Sequence, residues 1–348
     1  MRMRWLWVAL CLLTIPAHAQ APGENRVVIA TFGGLLGKLV RENVELYTKP
    51  LGIQAVFVEA ASADILAKIR AQRSAPQYDL ALLNDQTFVV AKGLGLIQKL
   101  DLAEVPNARA LRPGLLGADL YGAPYEINPV GWIYRRDKLA AAGVPAPDTW
   151  RAVADKRLVG RVVMFNFSSF YSVLTMAGLQ LSAGKTVADD SEIWPFMQAL
   201  YENRTIVVAA PGQAEELAKS GEAWVYPGTA QRALLLKEQG VDVGFAPAGD
   251  ALLSLTNYMV PIAKAPHPVN AQRVLNWILG PEIQARMARQ GAIVPVNASV
   301  VLGPELMARL GFGGALEVPA FRVLDVETVN DRFGAWSEGF DKVMSRAR

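Results

Sequence analysis

A short apolar run followed by a glycine pair and a helix constrains this chain more than any other feature. Val27-Val28-Ile29-Ala30 reads as a buried parallel strand. Thr31-Phe32-Gly33-Gly34 follows as a turn, and Leu35–Tyr47 places Leu36, Leu39, Val40 and Asn43–Leu46 on one apolar helical face. Two adjacent glycines let the backbone approach a neighbour closely, or simply make a tight strand-to-helix turn. The free N–H groups of the helix start point at the same place. Neither G-x-G-x-x-G nor G-K-[ST] is present, so no nucleotide fingerprint applies.

The chain begins with an export pattern. Arg2 and Arg4 precede the apolar stretch Trp5–Ile15, Pro16 breaks it, and Ala17-His18-Ala19 fits an A-x-A cleavage site, so cleavage is expected after Ala19. The stretch is too short to span a bilayer. Cys11 lies inside the apolar core rather than at its end, which argues against a lipid anchor. The only cysteine and one of the two histidines, His18, fall in this segment. Disulfides, cysteine–zinc sites and histidine-based metal or acid–base centres are therefore not expected, and no cofactor is. His267, between Pro266 and Pro268, is read as a surface-loop residue.

After cleavage about 329 of the 348 residues remain, enough for two domains. The charge of +3 falls to +1 once Arg2 and Arg4 leave the 35 basic residues facing 32 acidic ones. That balance, without a basic stripe, argues against nucleic acid. No later apolar run approaches membrane length.

The pattern continues as alternating strands and helices. Ile53–Val58 is a strand, Ala63–Ser74 a helix capped by Ser62, and Tyr78–Leu83 a strand leading to Asn84-Asp85-Gln86. This order implies a parallel open sheet, in which ligands sit beyond the carboxyl ends of the strands. Thr31–Gly34 and Asn84–Gln86 then share one rim, while Asp79 is assigned a local pairing role. Further on, Glu126–Tyr134, Gly160–Phe165, Glu222–Tyr226, Val241–Pro247 and Leu252–Ile262 read as strands. Asn166-Phe167-Ser168-Ser169 opens a helix from Phe170 to Leu181, and Pro227-Gly228-Thr229 opens Ala230–Gln239. Pro145–Trp150 reads as a rigid loop capping a following helix, and residues 303–348 as amphipathic helix.

Five pieces, in order, carry a resemblance to a known family: Ala30-Thr31-Phe32-Gly33-Gly34; Tyr78-Asp79-Leu80; Tyr121-Gly122-Ala123-Pro124-Tyr125; Gly228 after Tyr226; and Asn276-Trp277-Ile278-Leu279-Gly280-Pro281-Glu282 ahead of Val294-Pro295-Val296-Asn297. The chain resembles periplasmic solute-binding proteins of ABC importers, of the polyamine-binding-like group. The resemblance implies an α/β type II two-lobe fold, each lobe a mostly parallel sheet flanked by helices. The cleft between the lobes would take a small solute, close by a hinge motion and dock on an inner-membrane permease. By analogy lobe one is 26–123 with 255–300, lobe two is 126–250 with 301–348, and the hinges lie near 123–127 and 248–256. A periplasmic monomer without catalytic activity is expected.

Polyamine binders use cleft carboxylates for ammonium groups and aromatic rings for the methylene chain. This sequence places Asn166 and Ser169 where such proteins carry acids in lobe two, and Ser254 and Thr256 where they carry Trp and Asp. Hydroxyls, an amide and helix N-termini suit a carboxylate, phosphonate or zwitterion. Asp85 and Glu126, if both face the cleft, keep a polyamine as the alternative. Candidate ligand contacts are Thr31, Phe32, Gly33, Gly34, Asn84, Asp85, Glu126, Asn166, Ser168, Ser169, Tyr171, Tyr226, Thr229, Ser254 and Thr256. Phe32 reads equally as packing beneath its turn, Ser168, Ser169 and Tyr171 as cap and packing, Trp132, Trp224 and Trp277 as core, and Arg232 as solvated. A secreted hydrolase is disfavoured because G-x-S-x-G and a second usable histidine are missing. A ferric-iron receptor is disfavoured because no adjacent tyrosine pair occurs. A sensory receptor on the same fold stays open.

Overall fold

The computed structural model describes residues 25–345 except Ser168, Val323 and Asp325. The expected export segment, with Cys11 and His18, lies outside the described residues, as does the candidate Ser168.

The first half is the expected alternation: β1 (Arg26–Thr31), α1 (Gly34–Thr48), β2 (Gln54–Glu59), α2 (Ser62–Ala71), β3 (Leu80–Asn84) and α3 (Asp85–Gly93). β1 lies between β2 and β3 and is parallel to both. Its alternation sends Val27 and Ile29 into the main core, and Val28 and Ala30 into a second cluster with Ile65, Ile69 and Leu83. Both faces are thus covered, which is why the strand reads as an unbroken apolar run. Gly37 of α1 has no room for a side chain, because a Cβ there would lie 1.9 Å from the Phe32 carbonyl oxygen.

The chain then enters β4 (Ala123–Arg135), α4 (Arg136–Ala141), β5 (Val163–Phe165), α5 (Phe170–Ser182), α6 (Ile193–Glu202), β6 (Ile206–Val208), α7 (Pro211–Ser220), β7 (Val225–Thr229), α8 (Ala230–Glu238) and β8 (Val243–Pro247). It returns through β9 (Leu253–Pro261) to α9 (Pro268–Ile278), α10 (Pro281–Gly291), α11 (Pro304–Arg309) and α12 (Val326–Met344). β9 runs antiparallel between β3 and β4, and β7 and β8 pair antiparallel with β4. β5 and β6 form a parallel pair, joined to β7 by the bridge Val162–Val225.

The sheets are therefore more mixed than expected. The parallel sets are present, but the two long crossing strands add antiparallel pairs. In β4 burial on both faces erases the polar–apolar alternation that marks an antiparallel strand, so it looks like a parallel strand from sequence.

Other expectations are corrected locally. Ala61, not Ser62, precedes α2 as its cap; the Ser62 hydroxyl instead accepts from the Asn84 N–H at 3.1 Å and bonds the Thr87 hydroxyl at 2.6 Å. Pro145–Trp150 leads into two short 3-10 turns at 152–154 and 156–158 rather than a helix. Residues 310–322 interrupt the expected C-terminal helix as a strap, since Gly311, Gly313, Gly314 and Pro319 disfavour helix. His267 is not a free loop residue: its backbone N–H and Nδ1 approach the fully buried Asp79, which also accepts from the Val28 N–H at 2.7 Å.

Candidate functional site

β9 positions the centre of the site. Its period of two turns Ser254, Thr256 and Tyr258 toward a cavity of about 410 Å³, and Leu255 and Asn257 to the other face. Asp85, the first residue of α3, enters the same cavity. Asn84 holds that helix start in place, its Oδ1 accepting from the Thr87 N–H at 3.0 Å. The loop Arg112–Leu115, Ile127 of β4, Phe170 at the start of α5 and strap residues Val318–Arg322 complete the walls.

The cavity carries both charges. Asp85 accepts from the Thr256 N–H at 2.9 Å and from the Tyr258 hydroxyl. Burial nevertheless outweighs those bonds and pushes the carboxyl up to about 7. Arg112 donates from Nε to the Pro295 carbonyl at 2.9 Å; burial lowers its pKa, and Glu317 opposes that shift. Arg322 is exposed, and its backbone N–H donates to the Leu252 carbonyl at 2.8 Å, tying the strap to the residue before β9. The aromatic faces are Phe170, Phe321 and Tyr258, the last stacked on Phe88 with ring centroids 4.1 Å apart.

Of the candidates read from sequence, the structure brings Asp85, Ser254 and Thr256 together on this cavity. Ser169 and Tyr171 flank Phe170; Ser169 precedes α5 as its cap residue without a side-chain cap bond, and Tyr171 is buried against Phe165 and bonds Arg232. Asn166 sits at the end of β5, its N–H donating to the Val208 carbonyl at 2.9 Å. Thr31 is fully buried, Phe32 packs against both core clusters, Gly33 caps α1, and Gly34 takes a positive φ of 68° with open space around it.

Three placements differ from the expected cleft positions. Glu126 lies on the face of the crossing strands opposite Thr256, fully buried, accepting from Asn257 Nδ2 at 2.5 Å and Asn128 Nδ2 at 3.1 Å. Tyr226 is buried in β7, paired with Ile133 of β4, its hydroxyl has no hydrogen-bond partner among the described residues, and burial drives its pKa up. Thr229 is buried in β7, paired with Val130. Arg232 is half-buried and held at 2.5 Å by Glu215.

Sequence reading missed Arg112, Phe170, Tyr258 and the strap. Tyr258 was recoverable, because it follows Thr256 by two in a strand. The strap was not, because it has no period.

Two α/β lobes joined by long crossing strands, with a polar and aromatic cleft at the crossing, define the type II periplasmic binding proteins. The chain belongs to the family of bacterial extracellular solute-binding proteins, whose pattern it matches over residues 44–310. It is similar to a periplasmic protein of Salmonella typhimurium named for 2-aminoethylphosphonate binding, at 23% identity over 304 residues, covering 84% of this chain and 85% of that one. An extracellular solute-binding protein from Bordetella parapertussis shares the fold with a TM-score of 0.77 at 17% identity, covering 92% of this chain and 99% of that one. The substrate-binding protein of a spermidine/putrescine ABC transporter from Streptococcus pneumoniae shares it with a TM-score of 0.74 at 15% identity, covering 92% and 99%. The protein is thus a bacterial extracellular solute-binding protein.

Proposed function

We propose that the solute is a small zwitterion carrying an ammonium at one end and a phosphonate or carboxylate at the other. The observation that carries this reading is that Asp85, Arg112 and Arg322 line one cavity. An isolated charge taken into such a cleft is costly, and each end finds its counter-charge here. Ser254 and Thr256 supply hydroxyls between them. The name of the Salmonella typhimurium relative describes a solute of this chemistry. A polyamine fits less well, because the second carboxylate it would need, Glu126, is buried on the opposite face of β4.

Lobe one is assigned to 26–123 with 255–300 and lobe two to 126–250 with 301–348. They hinge near 123–127 and 248–256, in a monomer exported by cleavage after Ala19. On closure the start of α5, with Ser169 and Phe170, approaches Asp85 and the strap, and the closed form docks on its permease without chemical change to the solute. A thermal-shift screen tests the ligand class. Solute at one hundred times its dissociation constant adds about 2.7 kcal/mol to stability. A shift with 2-aminoethylphosphonate and none with putrescine or spermidine is expected. A shift with the polyamines alone would reverse the assignment.

A further inference from the structure

Asp85 does not stand alone in the cleft. Phe88 follows it by three residues on α3 and so projects from the same helical face. The Phe88 ring lies 3° from parallel with that of Tyr258, at 4.1 Å between centroids. Tyr258 is fixed from below by its strand register opposite Leu83. Behind the pair sits Gly122, where a Cβ would come within 3.3 Å of Phe88 and 2.5 Å of Val260, so the backbone closes on the stack with no slack. A tyrosine ring so confined has little freedom to redirect its hydroxyl, and that hydroxyl donates to Asp85.

We propose that Phe88 and Tyr258 are positioning residues for the cation-binding carboxylate: the stacked Phe88 ring fixes Tyr258, whose hydroxyl aims Asp85 into the cleft to accept the solute's ammonium. The proposal rests on the zwitterion reading of the same cavity. The titratable group that bonds Asp85 is Tyr258 on β9, and the other charged residues lining the cavity are Arg112 and Arg322. Burial holds the carboxyl at about 7, with the Thr256 N–H and the Tyr258 hydroxyl pulling it down. Removing the hydroxyl takes away one of those pulls. The group then binds its proton more tightly and is less available to a cation at neutral pH.

Carboxyl 13C NMR of the full chain tests the positioning without any solute, the Asp85 signal being assigned by its loss in Asp85→Asn. Tyr258→Phe is expected to tighten proton binding at Asp85 about ten-fold, the loss of one charge-assisted hydrogen bond. Phe88→Ala is expected to move the midpoint the same way, and Phe88→Tyr, which keeps a flat six-membered ring in the same space, to leave it near the wild type. A Tyr258→Phe midpoint equal to that of the wild type overturns the proposal. Calorimetry with 2-aminoethylphosphonate tests the reading beneath it. Tyr258→Phe is expected to bind about five-fold more weakly at pH 7, as the ionised fraction of Asp85 falls from about one half to about one tenth, and to recover by pH 9, while ethylphosphonate, which lacks the amine, shows no such change. Asp85→Asn binding 2-aminoethylphosphonate as tightly as the wild type overturns the ammonium role, and with it the functional half of the proposal, whatever the titration shows.

Discussion

Glu126 is a fully buried carboxylate; among the described residues its hydrogen bonds come from two asparagine amides, and its Oε2 has no partner. Burial raises its pKa from 4.5 to about 7, against the pull of those amides. The folded state therefore holds this proton more tightly than the unfolded chain. Its contribution is fully present below the unfolded value and is lost as pH rises through the folded one, a loss of about 3 kcal/mol. Glu126→Gln keeps the acceptor and removes the charge. The variant should be more stable than the wild type by up to about 3 kcal/mol at pH 8, and the gap should close toward pH 5. Urea unfolding at both values measures it; a gap independent of pH would mean the carboxylate does not titrate in this window. The same residue shows why site reading from sequence stops short. Asp85 and Glu126 look alike as free acids near a crossing. Asp85 opens a helix, whereas the face of Glu126 is decided by strand parity, and the register shift between Pro124 and Glu126 breaks the count that parity needs.

At the scale of elements, local chemistry and tertiary packing divide the work. The βα units of the first half were readable because strand, turn and helix each carry their own signal. The α6–β6–α7 stretch was not, since β6 has only three residues and its apolar pattern is too short to register. α3 shows a local device with a functional end. Asn84 accepts from both the Thr87 N–H, at 3.0 Å, and the Thr87 hydroxyl, at 2.9 Å, and so fixes the turn that bears Asp85. Asn84→Ala should cost about 1 kcal/mol in thermal or urea unfolding, whereas Asn84→Asp, also a good cap, should retain most of it. Equal losses in the two would show that the cap bond is not what holds the turn. α5 shows the opposite case, where packing decides. A Cβ on Gly178 would lie 2.2 Å from the ring of Trp150, which is itself fully buried and tied by its indole N–H to the Ala251 carbonyl at 2.8 Å. The ring cannot retreat, so Gly178→Ala should destabilise by about 1–3 kcal/mol. A variant as stable as the wild type would place slack where the packing shows none.

At the scale of the whole molecule, the order of motifs along the chain made the two-lobe arrangement legible, while the third wall of the cleft was invisible. The strap leaves α11, crosses the cleft through Val318–Arg322 and feeds α12, which packs on α6 and α5. Its glycines and proline carry no helical or strand period, so nothing in the sequence separates it from a surface loop. Its tether is the hydrogen bond from the Arg322 N–H to the Leu252 carbonyl, one residue before the strand that carries Ser254 and Thr256. If β9 moves as a hinge, that bond carries the strap with it. If capture closes the lobes on a solute held between Asp85, Arg112 and Arg322, the amides of 112–115, 318–322 and the start of α5 should slow together in hydrogen exchange. The radius of gyration from small-angle scattering should fall in the same titration. Both changes should follow solute concentration with one midpoint, because they report one closure. Protection confined to β9, with an unchanged radius of gyration, would instead mean that the solute binds to an already formed pocket and that the strap is a fixed wall.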